Sequence, residues 1–134
     1  MEKRVVTFGT FDLLHVGHVR MLERCKALGT YLAVGVSTNT LNILKKNRAP
    51  VYGHDDRMEI IKSLRCVDHV FSEESLEKKA EYCKGFDIFV IGDDWKGKFD
   101  FLEEDGLEVK YLERTPSIST TEILSLIREG GNLF

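Results

Sequence analysis

Residues 4–29, RVVTFGTFDLLHVGHVRMLERCKALG, decide how this chain folds. The segment Arg4–Gly9 is an apolar run closed by a glycine, the pattern of a short buried strand. From Val16 onward, Val19, Leu22 and Cys25 or Lys26 fall at helical spacing until Gly29 interrupts them, which predicts a helix with a glycine stop. Strand, turn and helix in this order open an α/β unit. The turn carries Gly9, Thr10, Phe11 and Asp12, and two histidines, His15 and His18, stand at the predicted helix start.

The remaining chain continues the alternation. YLAVGVS (31–37) reads as a second strand, and the basic stretch that follows it has no clear regular pattern. DDRMEIIKSLR (55–65) places Met58, Ile61 and Leu64 on one helical face, with acidic residues at the dipole's positive end. VDHVF (67–71) reads as a strand, SEESLEKKAEYCKG (72–85) as a helix, FDIFVIG (86–92) and LEVKYLE (107–113) as strands, and SISTTEILSLIREGG (117–131) as a capped helix stopped by Gly130 and Gly131. The expected fold is α/β: one three-layer, Rossmann-like domain spanning 1–134, with a mostly parallel five-stranded sheet covered on both faces. Ligands in such sheets bind beyond the carboxyl ends of the strands, where the polar segments of this chain collect.

Composition narrows the class. A chain of 134 residues with 43% in the hydrophobic set suits a single core. The net charge of −3, from 19 Lys and Arg against 22 Asp and Glu, argues against a nonspecific nucleic-acid coat and leaves a small anionic substrate open. Cys25, Cys66 and Cys83 are odd in number, widely spaced and free of any CxxC, which points to a reducing, cytoplasmic setting. With neither a basic leader before an apolar segment nor a stretch near the roughly twenty apolar residues that span a bilayer, no integral membrane segment is expected.

The histidines admit structural, metal-binding and anion-binding readings. A metal pair needs further ligands, and neither an HExxH spacing nor a cysteine cluster supplies them. Anion binding fits the segment better. Gly9 permits a close backbone turn, Thr10 offers a hydroxyl, and imidazole N–H groups beside a helix N-terminus suit phosphate oxygens. A substrate phosphate is itself a nucleophile, so nucleotidyl transfer needs only charge neutralisation and in-line alignment. Lys45, Lys46, Arg48 and Arg114, on separate loops, are candidates for the neutralising cations, and Ser119, Thr120 and Thr121 can complete a phosphate cradle at a helix start. Asp93 and Asp94 suit a turn, a lysine partner or a divalent cation, and leave the metal ligands undetermined.

Three stretches carry a resemblance: GTFDLLHVGH (9–18) with its HxGH signature, GDDWKGKFD (92–100), and RTPSISTT (114–121), which follows an RTxxISTT pattern. In this combination the chain resembles the cytidylyltransferase family of HxGH nucleotidyltransferases, especially its bacterial members acting on glycerol 3-phosphate in teichoic-acid precursor synthesis. The resemblance implies CTP and sn-glycerol 3-phosphate as substrates, CDP-glycerol and pyrophosphate as products, Mg2+ as cofactor, and a homodimer. It implies that His15, His18, Lys45 and Arg114 are catalytic. Gly9, Thr10, Phe11, Asp94, Ser119, Thr120 and Thr121 would join His15, His18 and Arg114 in binding the nucleotide, with Asp94 also positioning Lys45. Asp12, Lys46, Arg57, Arg65 and Lys79 would serve the small phosphorylated polyol or keep the site in shape. The chain departs from the family in reading Lys45-Lys46-Asn47-Arg48 where Lys-x-Lys is common, and in placing Leu76 where an aromatic is expected. Another polyol, sugar or alcohol phosphate, ATP in place of CTP, and a noncatalytic nucleotide-binding module are the alternatives.

Overall fold

Alternate residues of the central strand enter two different cores. Val5 packs with Leu22, Cys25, Leu32, Val34, Ile61, Ile88 and Val90, whereas Val6 and Phe8 pack with Cys83, Phe89, Ile91, Phe99 and Leu102. A strand buried on both faces must be apolar at nearly every position, which explains the continuous run in VVTFG. The computed structural model describes residues 2–114 and 119–131. Its strands are β1 (Arg4–Gly9), β2 (Tyr31–Ser37), β3 (His69–Glu73), β4 (Ile88–Gly92) and β5 (Glu108–Leu112). They form one sheet in the order β3-β2-β1-β4-β5, and every neighbouring pair is parallel.

The helices are α1 (Val16–Ala27), α2 (Asn39–Lys46), α3 (His54–Lys62), α4 (Lys79–Tyr82) and α5 (Thr120–Glu129). Leu22 and Cys25 of α1 and Ile61 of α3 cover one face of the sheet. Cys83, which ends α4, and Phe99 and Leu102 at a 3-10 helix (Asp100–Asp105) cover the other. The chain therefore has the three layers expected. Beginning at β1, the sheet grows toward β2 on one side and β4 on the other, so a crevice opens between the carboxyl ends of β1 and β4.

Three local expectations change. The basic stretch after β2 is the helix α2, whose Thr38 hydroxyl accepts the N–H of Leu41 at 3.1 Å and which ends at Asn47 in the left-handed region, φ 57°. Its pattern is inverted: Asn42 is buried while Leu44 is 79% exposed, so apolar spacing gives no helical signal. β3 runs two residues beyond the expected VDHVF, through Ser72 and Glu73, and only Lys79–Tyr82 of the expected 72–85 helix is α-helical. Residues 115–118 of the RTPSISTT stretch lie outside the described residues.

Candidate active site

The β1–α1 loop is held in an uncommon backbone shape. Phe11 and Leu13 have φ of 55° and 49°, in the left-handed region that costs a non-glycine residue about 1 to 2 kcal/mol. Asp12 between them fixes the shape: its carboxylate accepts the N–H of Val51 at 2.6 Å, Tyr52 at 2.9 Å and Leu13 at 3.1 Å. Arg57, fully buried, donates to the carbonyls of Thr10 (2.9 Å), Ser37 (2.8 Å) and Tyr52 (3.0 Å) and to Oδ1 of Asn39 (2.8 Å). Asp12 and Arg57 thus fasten the loops after β1 and β2 to the start of α3. Gly9 is required by packing, because a Cβ there would stand 2.8 Å from the Phe11 ring. Phe11 itself is buried in the core, edge-on to His18 with ring centroids 5.7 Å apart.

His15 and His18 begin α1 with a reciprocal cap. His15 Nδ1 accepts the N–H of Gly17 at 3.0 Å, and His18 Nδ1 accepts the N–H of His15 at 3.2 Å. An Nδ1 that accepts carries no proton, so each neutral ring bears its hydrogen on Nε2. The rings stack with centroids 3.9 Å apart, and both line one cavity. Burial lowers the His15 pKa, with the positive charge of Arg114 adding to the effect. Burial, then His15 and Lys46, pushes His18 down to about 4. At neutral pH the site therefore presents two uncharged Nε2–H donors.

The cavity, about 430 Å3, brings together much of the expected site: His15, His18, Lys46, Asp94, Arg114, Ser119, Thr120 and Thr121. Two helix N-termini converge on it. One is that of α1 at the histidines; the other is that of α5, where Ser119 Oγ accepts the N–H of Glu122 at 3.1 Å and Thr120 Oγ1 donates to the Asp12 carbonyl at 2.9 Å. Free N–H groups and aligned peptide dipoles at both ends favour an anion. Arg48 and Asp93 also reach the lining. Arg114 is 3.8 Å from Glu122 and its side chain is 62% exposed, so it can turn toward a ligand at little cost.

A smaller cavity, about 80 Å3, adjoins through Lys46 and is lined by Gly9, Thr10, Lys45, Glu73, Lys79 and Trp95, among others. Thr10 Oγ1 lies 2.5 Å from Asn42 Oδ1 and 3.3 Å from Ser37 Oγ, which ties the β1 loop to the helix that carries Lys45 and Lys46. Burial lowers the pKa of both lysines. The carboxylate beside Lys45 is Glu73, at 3.8 Å, while Asp94 lies on the larger cavity. Arg65 is not brought to either cavity; it is exposed in the turn between α3 and β3, at the amino-terminal end of the sheet. Sequence reading missed Glu73 and Asn42: the first sits in a stretch read as a helix and the second in one without a regular pattern, and nothing but tertiary burial distinguishes them.

For a divalent cation, the larger cavity offers the adjacent carboxylates of Asp93 and Asp94, with that of Glu113 also on its lining. Among the described residues no group of three or more His, Cys, Asp or Glu could hold a metal unaided. That donor set fits magnesium, which commonly takes one or two carboxylates and completes its shell with substrate phosphates and water.

Fold and cavity together define an α/β domain with a cavity suited to an anion at the switch point of its sheet. The chain belongs to the cytidylyltransferase-like family, which it matches over residues 6–125. It is 49% identical over 123 residues to the glycerol-3-phosphate cytidylyltransferase of Bacillus subtilis (strain 168), covering 90% of this chain and 94% of that protein. The enzyme of the same name from Staphylococcus aureus (strain NCTC 8325 / PS 47) is 45% identical, covering 90% of this chain and 92% of that protein. The crystal structure of the lipopolysaccharide core biosynthesis protein from Thermoplasma volcanium GSS1 superposes with a TM-score of 0.73 at 26% identity, covering 88% of this chain and all of that one.

Proposed function

We propose that this chain is a glycerol-3-phosphate cytidylyltransferase, which joins CTP and sn-glycerol 3-phosphate into CDP-glycerol and releases pyrophosphate. The site observation that carries the reading is the stacked pair of Nε2–H imidazoles at the head of α1, facing a cavity shared with the N-terminus of α5. The substrate pair follows from the relatives that share 45% and 49% identity over 90% of the chain.

In the reaction a phosphate oxygen of the acceptor attacks the α-phosphorus of CTP. The new P–O bond forms as the bond to the bridging oxygen breaks, and the electron pair leaves with pyrophosphate. The attacking phosphate is already anionic, so no general base is needed. His15 and His18 donate from Nε2 to triphosphate oxygens, where negative charge grows as the bond breaks. Arg114, Thr120 and Thr121 hold the nucleotide, while Lys46, shared by the two cavities, and Lys45, on the smaller one, align the acceptor phosphate with the α-phosphate. Magnesium bound on the triphosphate through Asp93 and Asp94 would supply further charge neutralisation.

The same reading makes the protein a cytoplasmic homodimer that provides activated glycerol for teichoic-acid precursors. Among the described residues no helix is long and apolar enough to cross a membrane. The test pairs CTP, ATP, GTP and UTP with glycerol, ribitol and ethanolamine phosphates and reads pyrophosphate release and product mass. CDP-glycerol is the expected product. Pyrophosphate with ATP alone would overturn the cytidyl assignment, and nucleotide binding without any product would favour a noncatalytic module.

A further inference from the structure

Glu73 ends β3 with no exposed surface, yet it faces two lysines across the floor of the smaller cavity. Its Oε2 takes a short hydrogen bond from the Lys79 ammonium. Lys79 is buried as well, with Nζ 3.9 Å from the Phe8 ring centroid and 5.3 Å from that of Phe99, so it is held from several sides. The other oxygen, Oε1, is buried and has no hydrogen-bond partner. Its cation is Lys45 at 3.8 Å, near enough for Coulomb attraction and too far for a hydrogen bond.

We propose that Glu73 is a positioning residue, whose single carboxylate anchors Lys79 and holds Lys45 charged and ready to pass to the substrate phosphate. This rests on the reading of Lys45 as a phosphate ligand. The geometry suits a hand-over. With no hydrogen bond between Oε1 and Nζ, Lys45 can move to a phosphate oxygen without breaking one, while the attraction keeps it from being lost to solvent. Lys79, fixed on Oε2, keeps the carboxylate from following.

The charge balance supports the same role. Burial disfavours the ammonium of both lysines, and Glu73 opposes that effect at both. Lys45 also feels Lys79 from α4, Lys46 from its own helix and Arg57 from α3, all positive, while Lys79 feels Cys83. Among these groups Glu73 is the carboxylate that offsets the like charges around Lys45. Without it, buried ammonium groups would repel one another and one would shed its proton.

The test follows the Lys45 side chain by NMR in protein carrying 13C-labelled lysine, alongside the pH profile of kcat/KM for CTP. Glu73→Gln leaves Lys79 unpaired and threatens the fold, so Glu73→Gln/Lys79→Met is the main variant and Lys79→Met its companion. In the double variant Lys45 should titrate about 1 to 3 pH units below its value in Lys79→Met, with the alkaline limb of kcat/KM moving the same way. In Lys79→Met, which keeps the carboxylate and removes a like charge, Lys45 should titrate above wild type. A folded double variant in which Lys45 titrates as it does in Lys79→Met would show that Glu73 serves Lys79 alone and overturn the proposal. So would an unmoved Lys45 in Lys79→Met. Wild-type protein that releases no pyrophosphate from any nucleoside triphosphate would overturn the underlying reading, and with it a part for Glu73 in turnover, independently of either titration.

Discussion

His15 fixes the tautomer of His18: the peptide N–H of His15 donates to Nδ1 of His18 at 3.2 Å, while Nδ1 of His15 is itself taken by the N–H of Gly17 at 3.0 Å. The backbone of the first helical turn thereby uses up one nitrogen of each ring and leaves Nε2–H to the cavity. A second proton on either ring would break its cap and set positive charge against the neighbouring imidazole, 3.9 Å away.

His15→Ala and His18→Ala should each keep the fold and lose much of the chemical step, by about 100- to 1000-fold if each removes one transition-state donor. Asparagine should do better than alanine at both positions, since its amide can both accept the helix N–H and donate. Single-turnover formation of CDP-glycerol, paired with thermal unfolding, checks this. Normal chemistry in both folded alanine variants would remove the histidines from the mechanism.

His18 also predicts an acid-sensitive stability. Its pKa falls from 6.5 when unfolded to about 4 when folded. Between those values the unfolded chain binds a proton that the native one does not, so stability rises with pH across that window. The contribution, on the order of 3 kcal/mol, is complete above pH 6.5 and disappears as pH falls toward 4. The unfolding temperature of wild type should therefore drop more steeply from pH 7 to pH 4 than that of His18→Asn. Parallel curves would contradict it.

Arg57 and Arg65 should separate cleanly. Arg57→Met strands the buried carbonyls of Thr10 and Ser37, at about 1 to 3 kcal/mol for each group left unsatisfied, and also gives up the part-buried bonds to the Tyr52 carbonyl and Asn39 Oδ1. Denaturant unfolding should register a loss above about 3 kcal/mol. Exposed Arg65→Ala should stay within about 0.5 kcal/mol. A stable Arg57→Met with only a raised KM for the acceptor would instead make Arg57 a substrate ligand.

Gly9→Ala should destabilise by about 1 to 3 kcal/mol, because its methyl group meets the Phe11 ring at 2.8 Å. The same clash shifts the loop that ends in His15, so KM for CTP should rise as the melting temperature falls. Phe11→Leu in the Gly9→Ala background should recover part of both. Unchanged melting in Gly9→Ala would mean that the ring moves aside freely.

Arg114→Ala should lower kcat/KM for CTP by roughly 10- to 150-fold, the loss of one charge-assisted contact of about 1.5 to 3 kcal/mol. Its side chain is 62% exposed, so the melting temperature should hardly change. Equal turnover at subsaturating CTP would make it peripheral.

The sequence by itself determined the alternation of strands and helices, the two covered faces and the loop that bears the histidines. Those signals are local: apolar runs in VVTFG and IFVIG, helical spacing in α1 and α3, and the Ser119 and Gly130 stops of α5. It did not mark α2, where Asn42 is buried and Leu44 exposed, because that inversion depends on Thr10 arriving from the β1 loop, far away in the chain. Only the tertiary structure turned Asp12 and Arg57 into fasteners of the loops and brought Glu73 between two lysines. Whether a charge meets solvent, a backbone amide or an opposite charge is set by residues distant in the chain, and spacing along one segment carries no record of them.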